Sequence, residues 1–293
     1  MRIANLAGRL IVDNGSGFVD AHDASDRRFA ADPQAVYGRW GEFFDWAAGA
    51  SLGAGVEIEL DRLGPPVPRP RQVFAVALNY AEHAAEGGFS KPDRPLIFTK
   101  FPSCLAGPVV DVALATPFVD WEVELVAVIG HRAERIAAAE AWDHVAGLMI
   151  GQDLSARDVQ QAGPAPQYSL GKSFPAFGPT GPWVVTTDAP GLTGELELEC
   201  RRNGERVQHD LTSSMIFSVS ELIAYISAVC PLLPGDLLFT GTPSGVGSRR
   251  DPPIYLQAGD ELVSRITGIG EIRQTFRDAG PSRPLTPTDG SAR

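Results

Sequence analysis

Cysteine is scarce in this sequence, with three residues among 293. They stand at Cys104, Cys200 and Cys230, an odd number at wide spacings. Such a set fits neither a zinc-binding pattern nor a disulfide framework. We therefore expect three free thiols, which suits a reducing cytoplasm.

Positive charge is also in short supply. The chain has 25 Lys plus Arg against 36 Asp plus Glu, and its formal net charge is -11. Arg249 and Arg250 are neighbours, but they do not extend into a longer basic run. Because a nucleic-acid binder needs a concentrated positive surface, this composition argues against nucleic acid as a partner. An anionic ligand must instead be bound by a local device, such as a metal ion or one placed cation.

Long hydrophobic runs are missing as well. No apolar stretch approaches the ~20 residues that a membrane-spanning helix requires. The first residues, MRIANLAGRLIVDNGSG, lack the charged segment and long apolar run of a signal peptide. We expect a cytoplasmic protein with no membrane partner.

Proline and glycine, in contrast, are plentiful. The 24 prolines, 31 glycines and 44% hydrophobic residues favour a turn-rich, mixed β-rich (α+β) fold with a sizeable core. Residues 64–70 (GPPVPRP) cannot continue a helix, so a small N-terminal α+β domain is predicted at 1–70 and a catalytic domain at 71–277. The Pro-, Ser- and Thr-rich residues 278–293 predict a disordered tail.

The hydrophobic pattern indicates where strands and helices lie. Strands or buried apolar runs are predicted at residues 2–6, 9–12, 73–78, 122–130, 145–153, 195–201, 206–208, 236–240 and within 261–275. Helices are predicted at residues 40–52, 80–87 and 216–229. The dipeptide Asn203-Gly204 predicts a hairpin turn.

Two glutamates, Glu122 and Glu124, lie at the start of a predicted apolar strand, in the sequence Asp120-Trp121-Glu122-Val123-Glu124. On a strand, Glu122 and Glu124 point to the same face, roughly 6–7 Å apart. A divalent cation would relieve their repulsion, and carboxylate oxygens suit Mg²⁺ or Mn²⁺ better than zinc. The alternative is a strand end with two solvated acids.

A third acid, Asp153, ends the apolar run 145–153 and could complete such a metal site. Arg157, four residues later, could pair with a carboxylate of a substrate or of the protein. The alternative for this segment is a capped turn before a short helix.

A histidine and a glutamate occur three residues apart in His83-Ala84-Ala85-Glu86. On a helix the two side chains share one face, so Glu86 could hold one imidazole nitrogen while the other accepts a proton from water. Lys172, one of only three lysines, could stabilise an enolate or oxyanion. The alternatives are an incidental pair on an exposed helix and a surface lysine.

Together these motifs resemble the fumarylacetoacetate hydrolase family across residues 71–275, and in particular its acylpyruvate hydrolase and 2-hydroxyhepta-2,4-diene-1,7-dioate isomerase members. The segments that carry the resemblance are 77–86 (ALNYAEHAAE), 120–125 (DWEVEL), 128–130 (VIG), 152–160 (QDLSARDVQ), 170–174 (LGKSF), 181–182 (GP), 203–205 (NGE) with Gln208, 234–236 (PGD), 240–243 (TGTP) and 245–247 (GVG).

The resemblance implies a β-sandwich roll for the catalytic domain, usually as a homodimer. It implies a divalent cation, Mg²⁺ or Mn²⁺ with Ca²⁺ as a further option, held by Glu122, Glu124 and Asp153. The catalytic residues would be His83 and Glu86, which activate water under a lid, and Lys172. The expected substrate-binding residues are Tyr80, Arg157, Gln160 and Thr242.

The function that the resemblance implies is hydrolysis of a carbon–carbon bond in a small 2,4-dioxo acid, through an enolate that the metal stabilises. An oxaloacetate-type decarboxylase or a 2-oxo/enol isomerase would use the same site. A non-catalytic protein that binds a metal or an oxo acid is a more remote alternative.

The sequence departs from the family pattern at two positions. Leu78 stands where many relatives carry Arg, and Pro175 stands where many carry Asp. The missing positive charge predicts a substrate that is less anionic at its far end than a dicarboxylate.

Overall fold

Strands dominate the structure, a computed structural model that describes residues 1–13, 15, 17–50 and 52–280. In chain order the strands are β1 (Arg2–Leu6), β2 (Arg9–Asp13), β3 (Phe18–Asp20), β4 (Leu63–Gly64), β5 (Val73–Ala77), β6 (Leu96–Thr99), β7 (Leu105–Ala106), β8 (Val109–Leu114), β9 (Val119–Asp120), β10 (Val123–Ile129), β11 (Val145–Gln152), β12 (Ser155–Ala156), β13 (Gly178–Thr186), β14 (Glu197–Arg202), β15 (Glu205–Leu211), β16 (Leu237–Phe239), β17 (Glu261–Ile266) and β18 (Gly270–Asp278).

The helices of the described residues are short. They are α1 (Ala21–Ala24), α2 (Trp40–Gly49), α3 (Ala81–Glu86), α4 (Arg157–Gln160), α5 (Tyr168–Gly171) and α6 (Val219–Ser227). Short 3₁₀ helices lie at Ala35–Arg39, Leu60–Arg62, Pro102–Cys104, Ala138–His144, Thr212–Ser214 and Gly247–Arg249. Within the described ranges, no helix combines the length and the apolar character needed to cross a bilayer. The predicted mixed β-rich (α+β) fold is confirmed.

Two sheets build the core. The larger has the strand order β3-β2-β1-β13-β11-β10-β16-β5-β6, with β4 paired to β1 and β7 paired to β13. The smaller has the order β15-β14-β17-β18-β8, and β9 pairs with β12 on its own. One hydrophobic cluster takes side chains from both sheets, among them Leu125, Ile150, Leu198, Leu262 and Ile272. The sheets therefore pack face to face as a sandwich.

The central strands β10 and β11 are buried along their whole length. In β10, Leu125, Ala127 and Ile129 face the cluster between the sheets. Val126 and Val128 point the other way, into a second cluster that includes residues of α2. Burial on both faces explains why these strands appear in the sequence as continuous apolar runs rather than as alternating patterns.

The N-terminal segment adds strands to the larger sheet. Strand β1 lies antiparallel to β2 on one side and to β13 on the other, where Arg2 pairs with Val185. Helix α2 covers this sheet with aromatic side chains, and the Phe43 ring lies 5.3 Å from Phe29 and 5.7 Å from Trp46. The sheet thus continues across residue 70, and the division of the chain into two domains there stays a prediction.

Most predicted elements occur within a few residues of their expected bounds, and the exceptions have physical reasons. Helix α6 begins at Val219 because Ser218 caps it, its hydroxyl accepting from Glu221 N at 3.3 Å while the Glu221 carboxylate accepts from Ser218 N at 2.8 Å. Strand β13 was not predicted, because Pro179, Gly181 and Pro182 within it are residues typical of turns.

The predicted tail needs one correction. Its first residue, Asp278, is the last residue of β18 and pairs with Leu114 of β8. Residues 279 and 280 follow β18. The remainder of the predicted tail, residues 281–293, lies outside the described residues.

We predict that Phe43→Ala lowers the free energy of unfolding by about 3–5 kcal/mol, because it leaves a cavity at a fully buried position beside the Phe29 and Trp46 rings. Phe44→Ala is the matched control and should cost less, since the Phe44 side chain is only partly buried. Urea denaturation of both variants measures the difference, and equal losses would contradict the packing described for α2.

Candidate metal centre and active site

Three acidic side chains meet at the edge of the larger sheet where β10 begins and β11 ends. Glu122 precedes β10, Glu124 lies within it, and Asp153 follows β11. The register places Glu124 opposite Gly151, and Asp153 N donates to Glu122 O at 2.9 Å. One oxygen from each carboxylate lies within 4.8 Å of the others, and all three residues are buried. The structure thus brings together the three predicted metal ligands.

Gly151 leaves room beside Glu124. A Cβ atom at Gly151 would come within 2.5 Å of the Phe239 ring and 2.6 Å of Val126. The position therefore requires glycine, because the Phe239 ring and Val126 occupy the space that a side chain would need.

Glu124 is a buried acid without an ion-pair partner among the described residues. Burial raises its pKa well above the usual value, and the negative charges of Asp153 and Glu122 raise it further. In the described part of the chain it forms no ion pair, and its carboxylate accepts one hydrogen bond, from Gly241 N at 2.8 Å. Three clustered carboxylates, one of which has no ion-pair partner in the described structure, form an oxygen-only donor set that fits a hard divalent cation such as Mg²⁺ or Mn²⁺.

Glu122 has the opposite pKa shift. Burial alone would raise its pKa, but the positive charges of Lys172 and Arg157 bring it down to about 2. Lys172 Nζ lies 2.5 Å from Glu122 Oε2, and an Arg157 Nη atom lies 2.7 Å from Glu122 Oε1. Glu122 is therefore fully ionised and ready to act as a ligand.

Two buried lysines flank Asp153. Lys172 Nζ lies 2.6 Å from Asp153 Oδ2. Lys100, whose side chain is fully buried, donates to Asp153 Oδ1 at 2.7 Å, to Phe177 O at 3.2 Å and to Lys172 O. Burial favours neutral Lys172, yet Asp153 and Glu122 outweigh burial and raise its pKa, so it stays an ammonium.

Asp120 is a buried carboxylate that holds Arg157 and the turn Gly247–Arg249 in place. One of its oxygens accepts from Arg157 Nε and Nη2 at 2.9 and 2.7 Å, and from Ser248 N at 3.0 Å. The other accepts from Gly247 N at 2.7 Å and from Trp121 N at 2.8 Å. This buried carboxylate thus aims Arg157 at the centre and fixes the 3₁₀ turn Gly247–Arg249 beside it.

Two buried glutamines hold the backbone that carries the ligands. Gln152 Oε1 accepts from Glu122 N at 2.9 Å, and Gln208 Oε1 accepts from Val123 N at 3.0 Å. Gln208 Nε2 in turn donates to Thr242 Oγ1 at 2.8 Å, and that hydroxyl donates to Val123 O at 2.8 Å. The start of β10 is therefore fixed by side chains from three other segments.

His83 and Glu86 form the predicted pair on α3. His83 Nδ1 lies 2.8 Å from Glu86 Oε1, and the other Glu86 oxygen accepts from Gly245 N at 3.0 Å. The Glu86 carboxylate thus fixes the orientation of the ring from the Nδ1 side. Nε2 is left as the nitrogen that can exchange a proton.

A cleft connects these groups. The predicted site residues that line it are His83, Glu122, Arg157, Gln160, Lys172 and Thr242. Gln160 is buried there, and its Nε2 donor has no hydrogen-bond partner among the described residues. A buried amide without a partner is costly, so this donor is a candidate for contact with a ligand.

Tyr80 is the remaining predicted substrate-binding residue, and it does not belong to the described lining of the cleft. Its side chain is fully buried. Its hydroxyl has no hydrogen-bond partner in the described part of the chain. Burial raises its pKa, and the charges of Glu124 and Asp210 add to the effect.

Sequence reasoning gave no role to Lys100, Asp120, Gln152 or Gln208, which hold the ligands from behind. One feature of the sequence could have drawn attention to Lys100. It is one of only three lysines in the chain, and it directly follows the strand β6. The partners of these four residues lie far along the chain, and local patterns do not reveal such contacts.

Residues 72–277 match the family described as fumarylacetoacetate (FAA) hydrolase, C-terminal. With the sandwich fold and the carboxylate centre, this match identifies the class of protein: the chain belongs to the fumarylacetoacetate hydrolase family.

Three proteins of known sequence or structure show what this chain is similar to. Oxaloacetate tautomerase FAHD2B, mitochondrial, from Bos taurus is 44% identical over 209 residues, which cover 71% of this chain and 67% of the bovine protein. The crystal structure of an HpcE-like protein from Mycobacterium smegmatis has a TM-score of 0.90 and 52% identity, covering 95% of this chain and all of that one. Maleylpyruvate hydrolase from Sphingobium sp. SYK-6, solved with manganese(II) and pyruvate, has a TM-score of 0.73 and 28% identity over 95% of this chain and 99% of that one.

We predict that Lys100→Met lowers the free energy of unfolding of the metal-free protein by about 3–5 kcal/mol, because it leaves a buried carboxylate with one fewer cation. Added Mn²⁺ should recover part of this loss by binding the same carboxylates. Lys91→Met, at an exposed lysine, is the matched control and should change little. Equal urea midpoints for the two variants would contradict the role given to Lys100.

We also predict that the affinity for Mn²⁺ rises with pH. Because the pKa of Glu124 lies above its usual 4.5, the metal-free protein keeps this proton above pH 4.5, and a bound cation must displace it. Affinity should therefore increase by up to about tenfold per pH unit until the raised pKa is passed. Calorimetry in buffers of different ionisation enthalpy measures the released proton. Glu124→Gln should bind weakly with a flatter pH profile, and an unchanged profile would contradict the assignment.

Proposed function

We propose that the protein is a divalent-metal-dependent hydrolase that cleaves a carbon–carbon bond of a small 2,4-dioxo acid of the acylpyruvate type. The observation that carries the proposal is the His83–Glu86 pair at 2.8 Å, in a cleft that Glu122 and Lys172 also line. A base that activates water is needed for hydrolysis and is superfluous for simple loss of CO₂.

The carboxylate centre supports the dependence on a metal. A divalent cation bound by Glu122, Glu124 and Asp153 would supply a Lewis acid that stabilises negative charge developing on the substrate. The manganese(II) and pyruvate in the maleylpyruvate hydrolase structure are consistent with this chemistry for a relative of the same fold.

The protein's own residues account for the water attack. Glu86 holds His83 Nδ1, so that Nε2 can accept a proton from water. The water oxygen attacks the carbonyl carbon at position 4, and the bond between carbons 3 and 4 breaks. Its electron pair remains as the enolate of pyruvate, and the acyl fragment leaves as a carboxylic acid. Protonation of carbon 3 completes the formation of pyruvate.

In this proposal Lys172 and Gln160 contact the substrate, and Arg157 acts on the ligand Glu122. Lys172 keeps its charge because neighbouring carboxylates raise its pKa, so it can offset the charge of the enolate. The free Nε2 donor of Gln160 can bind a substrate oxygen within the cleft. Arg157 keeps Glu122 ionised and orients it.

A second candidate function is an oxaloacetate reaction, either enol–keto exchange or decarboxylation. The bovine relative at 44% identity, an oxaloacetate tautomerase, favours it. Enol–keto exchange moves one proton between carbon and oxygen, which His83 could also carry. The two candidates share the cleft and differ in whether water attacks carbon.

A substrate panel with Mg²⁺ or Mn²⁺ distinguishes them. Acylpyruvates are followed by loss of enol absorbance and by release of pyruvate, and oxaloacetate by enol–keto exchange and release of CO₂. Pyruvate released from acylpyruvates supports the hydrolase. Turnover confined to oxaloacetate would replace it with the second candidate.

We predict that His83→Ala lowers kcat for acylpyruvate hydrolysis by roughly 10²–10⁴-fold while leaving Mn²⁺ affinity within a few-fold. His209→Ala is the matched control, because His209 also pairs with a carboxylate, Glu197 at 2.7 Å, but lies outside the lining of the cleft. Steady-state kinetics and Mn²⁺ titration measure both effects. Hydrolysis that survives in His83→Ala would refute the water-activating role.

A further inference from the structure

Arg249 lines the cleft and is exposed to solvent. Within the described residues, its guanidinium has neither an ion-pair partner nor a hydrogen-bond partner. A guanidinium presents five donors in a planar fork, which matches a carboxylate in bidentate geometry. The mechanism proposed above leaves this cation without a role.

The other Lys and Arg side chains of the described cleft lining are already paired. Arg157 binds Asp120 and Glu122 at 2.7 Å each. Lys172 binds Glu122 and Asp153. Arg249 is thus the cleft cation that is free to take up a new anion.

The backbone at Arg249 is held firmly against the site. It ends the 3₁₀ turn Gly247–Arg249, whose first two N–H groups donate to Asp120 at 2.7 and 3.0 Å. A Cβ at Gly247 would come within 2.0 Å of Ile254 O, so the turn is tightly packed. The same Asp120 carboxylate binds Arg157, and the position of Arg249 is therefore coupled to that of the centre.

The neighbouring Arg250 is used differently. Its Nη2 donates to Val207 O at 2.9 Å and to Gly245 O at 3.3 Å, and its guanidinium lies 5.7 Å from the centre of the Trp121 ring. Arg250 therefore stabilises the loop, whereas Arg249 lines the cleft with a guanidinium that is unpaired among the described residues.

We propose that Arg249 binds a second carboxylate at the far end of the substrate and thereby gives the enzyme a preference for dicarboxylates. Arg249 forms no ion pair with the three clustered carboxylates in the described structure, so its charge is available to a carboxylate at the other end of a substrate that they hold. In a chain of net charge -11, a free cation in the cleft is also the local attractor for an anion.

A preference for dicarboxylates is the opposite of what Leu78 led us to expect, which was a substrate less anionic at its far end. Leu78 does line the cleft, so no cation is supplied from that position. Arg249 supplies a positive charge from a different loop. The inference rests on the proposed function to the extent that the substrate is an oxo acid bound at the carboxylate centre.

The test compares two inert ligands of equal length, 2-oxoadipate and 2-oxohexanoate, which differ by one terminal carboxylate and lack the 4-carbonyl group needed for cleavage. Their binding to the full chain with Mn²⁺ is measured by calorimetry. The unmodified protein should bind 2-oxoadipate roughly tenfold or more tightly than 2-oxohexanoate, as expected for a charge-assisted hydrogen-bond pair. Added salt should weaken this preference.

Arg249→Gln should abolish the preference by weakening 2-oxoadipate binding and leave 2-oxohexanoate binding unchanged. Arg206→Gln removes the same charge from an exposed arginine outside the cleft lining and should keep the preference. A preference that persists in Arg249→Gln, or that the unmodified protein does not show, overturns the proposal, as does failure of both ligands to bind.

Binding of these ligands does not require turnover, so the two proposals fail separately. If acylpyruvates are not cleaved while the 2-oxoadipate preference depends on Arg249, the hydrolase assignment falls and the role of Arg249 stands. If acylpyruvates are cleaved without any preference due to Arg249, the opposite holds.

Discussion

The structure buries more acidic than basic side chains where the central strands β10 and β11 meet at one end of the larger sheet. Four buried carboxylates meet there, at Asp120, Glu122, Glu124 and Asp153. In the described residues their ion-pair partners are three cations, Lys100, Arg157 and Lys172. A buried charge without a partner is strongly destabilising, so Glu124 has a raised pKa and, once ionised, adds one negative charge that no cation of the described residues pairs with. A divalent cation would exceed this charge by one unit, which the carboxylate of an oxo acid would then neutralise.

The geometry that holds these charges comes from the sheet. Glu122 and Glu124 share a face because side chains alternate along β10, and the register with β11 brings Asp153 next to them. Gln152 and Gln208 fix the backbone at that point by accepting from consecutive N–H groups. Because the ligands lie on or beside central strands, a metal site here is held more rigidly than a site built on loops.

Much of this centre could be predicted from the sequence because its signals are local. The period of two links Glu122 to Glu124, and the helical spacing links His83 to Glu86. Register and long-range pairing are not local, and this is why the buried contact between Lys100 and Asp153 was not anticipated. The same limit applies to β13, whose prolines and glycine are typical of turns although it lies between β1 and β11.

The family resemblance added what local patterns left open, since the end of an apolar run made Asp153 only a candidate third ligand beside the two glutamates. It gave less information at positions where this chain departs from its relatives. Leu78 suggested a cleft poor in positive charge, but Arg249 of the turn Gly247–Arg249 also lines the cleft and has no ion-pair partner among the described residues. Homodimer formation and the two-domain division remain predictions.

The most direct test of the account is the anomalous-scattering map of a crystal soaked in Mn²⁺. We expect one strong peak at about 2 Å from an oxygen of each of Glu122, Glu124 and Asp153. A peak elsewhere with this cluster empty, or full activity of protein treated with EDTA, would contradict the claim that these three acids form the functional centre.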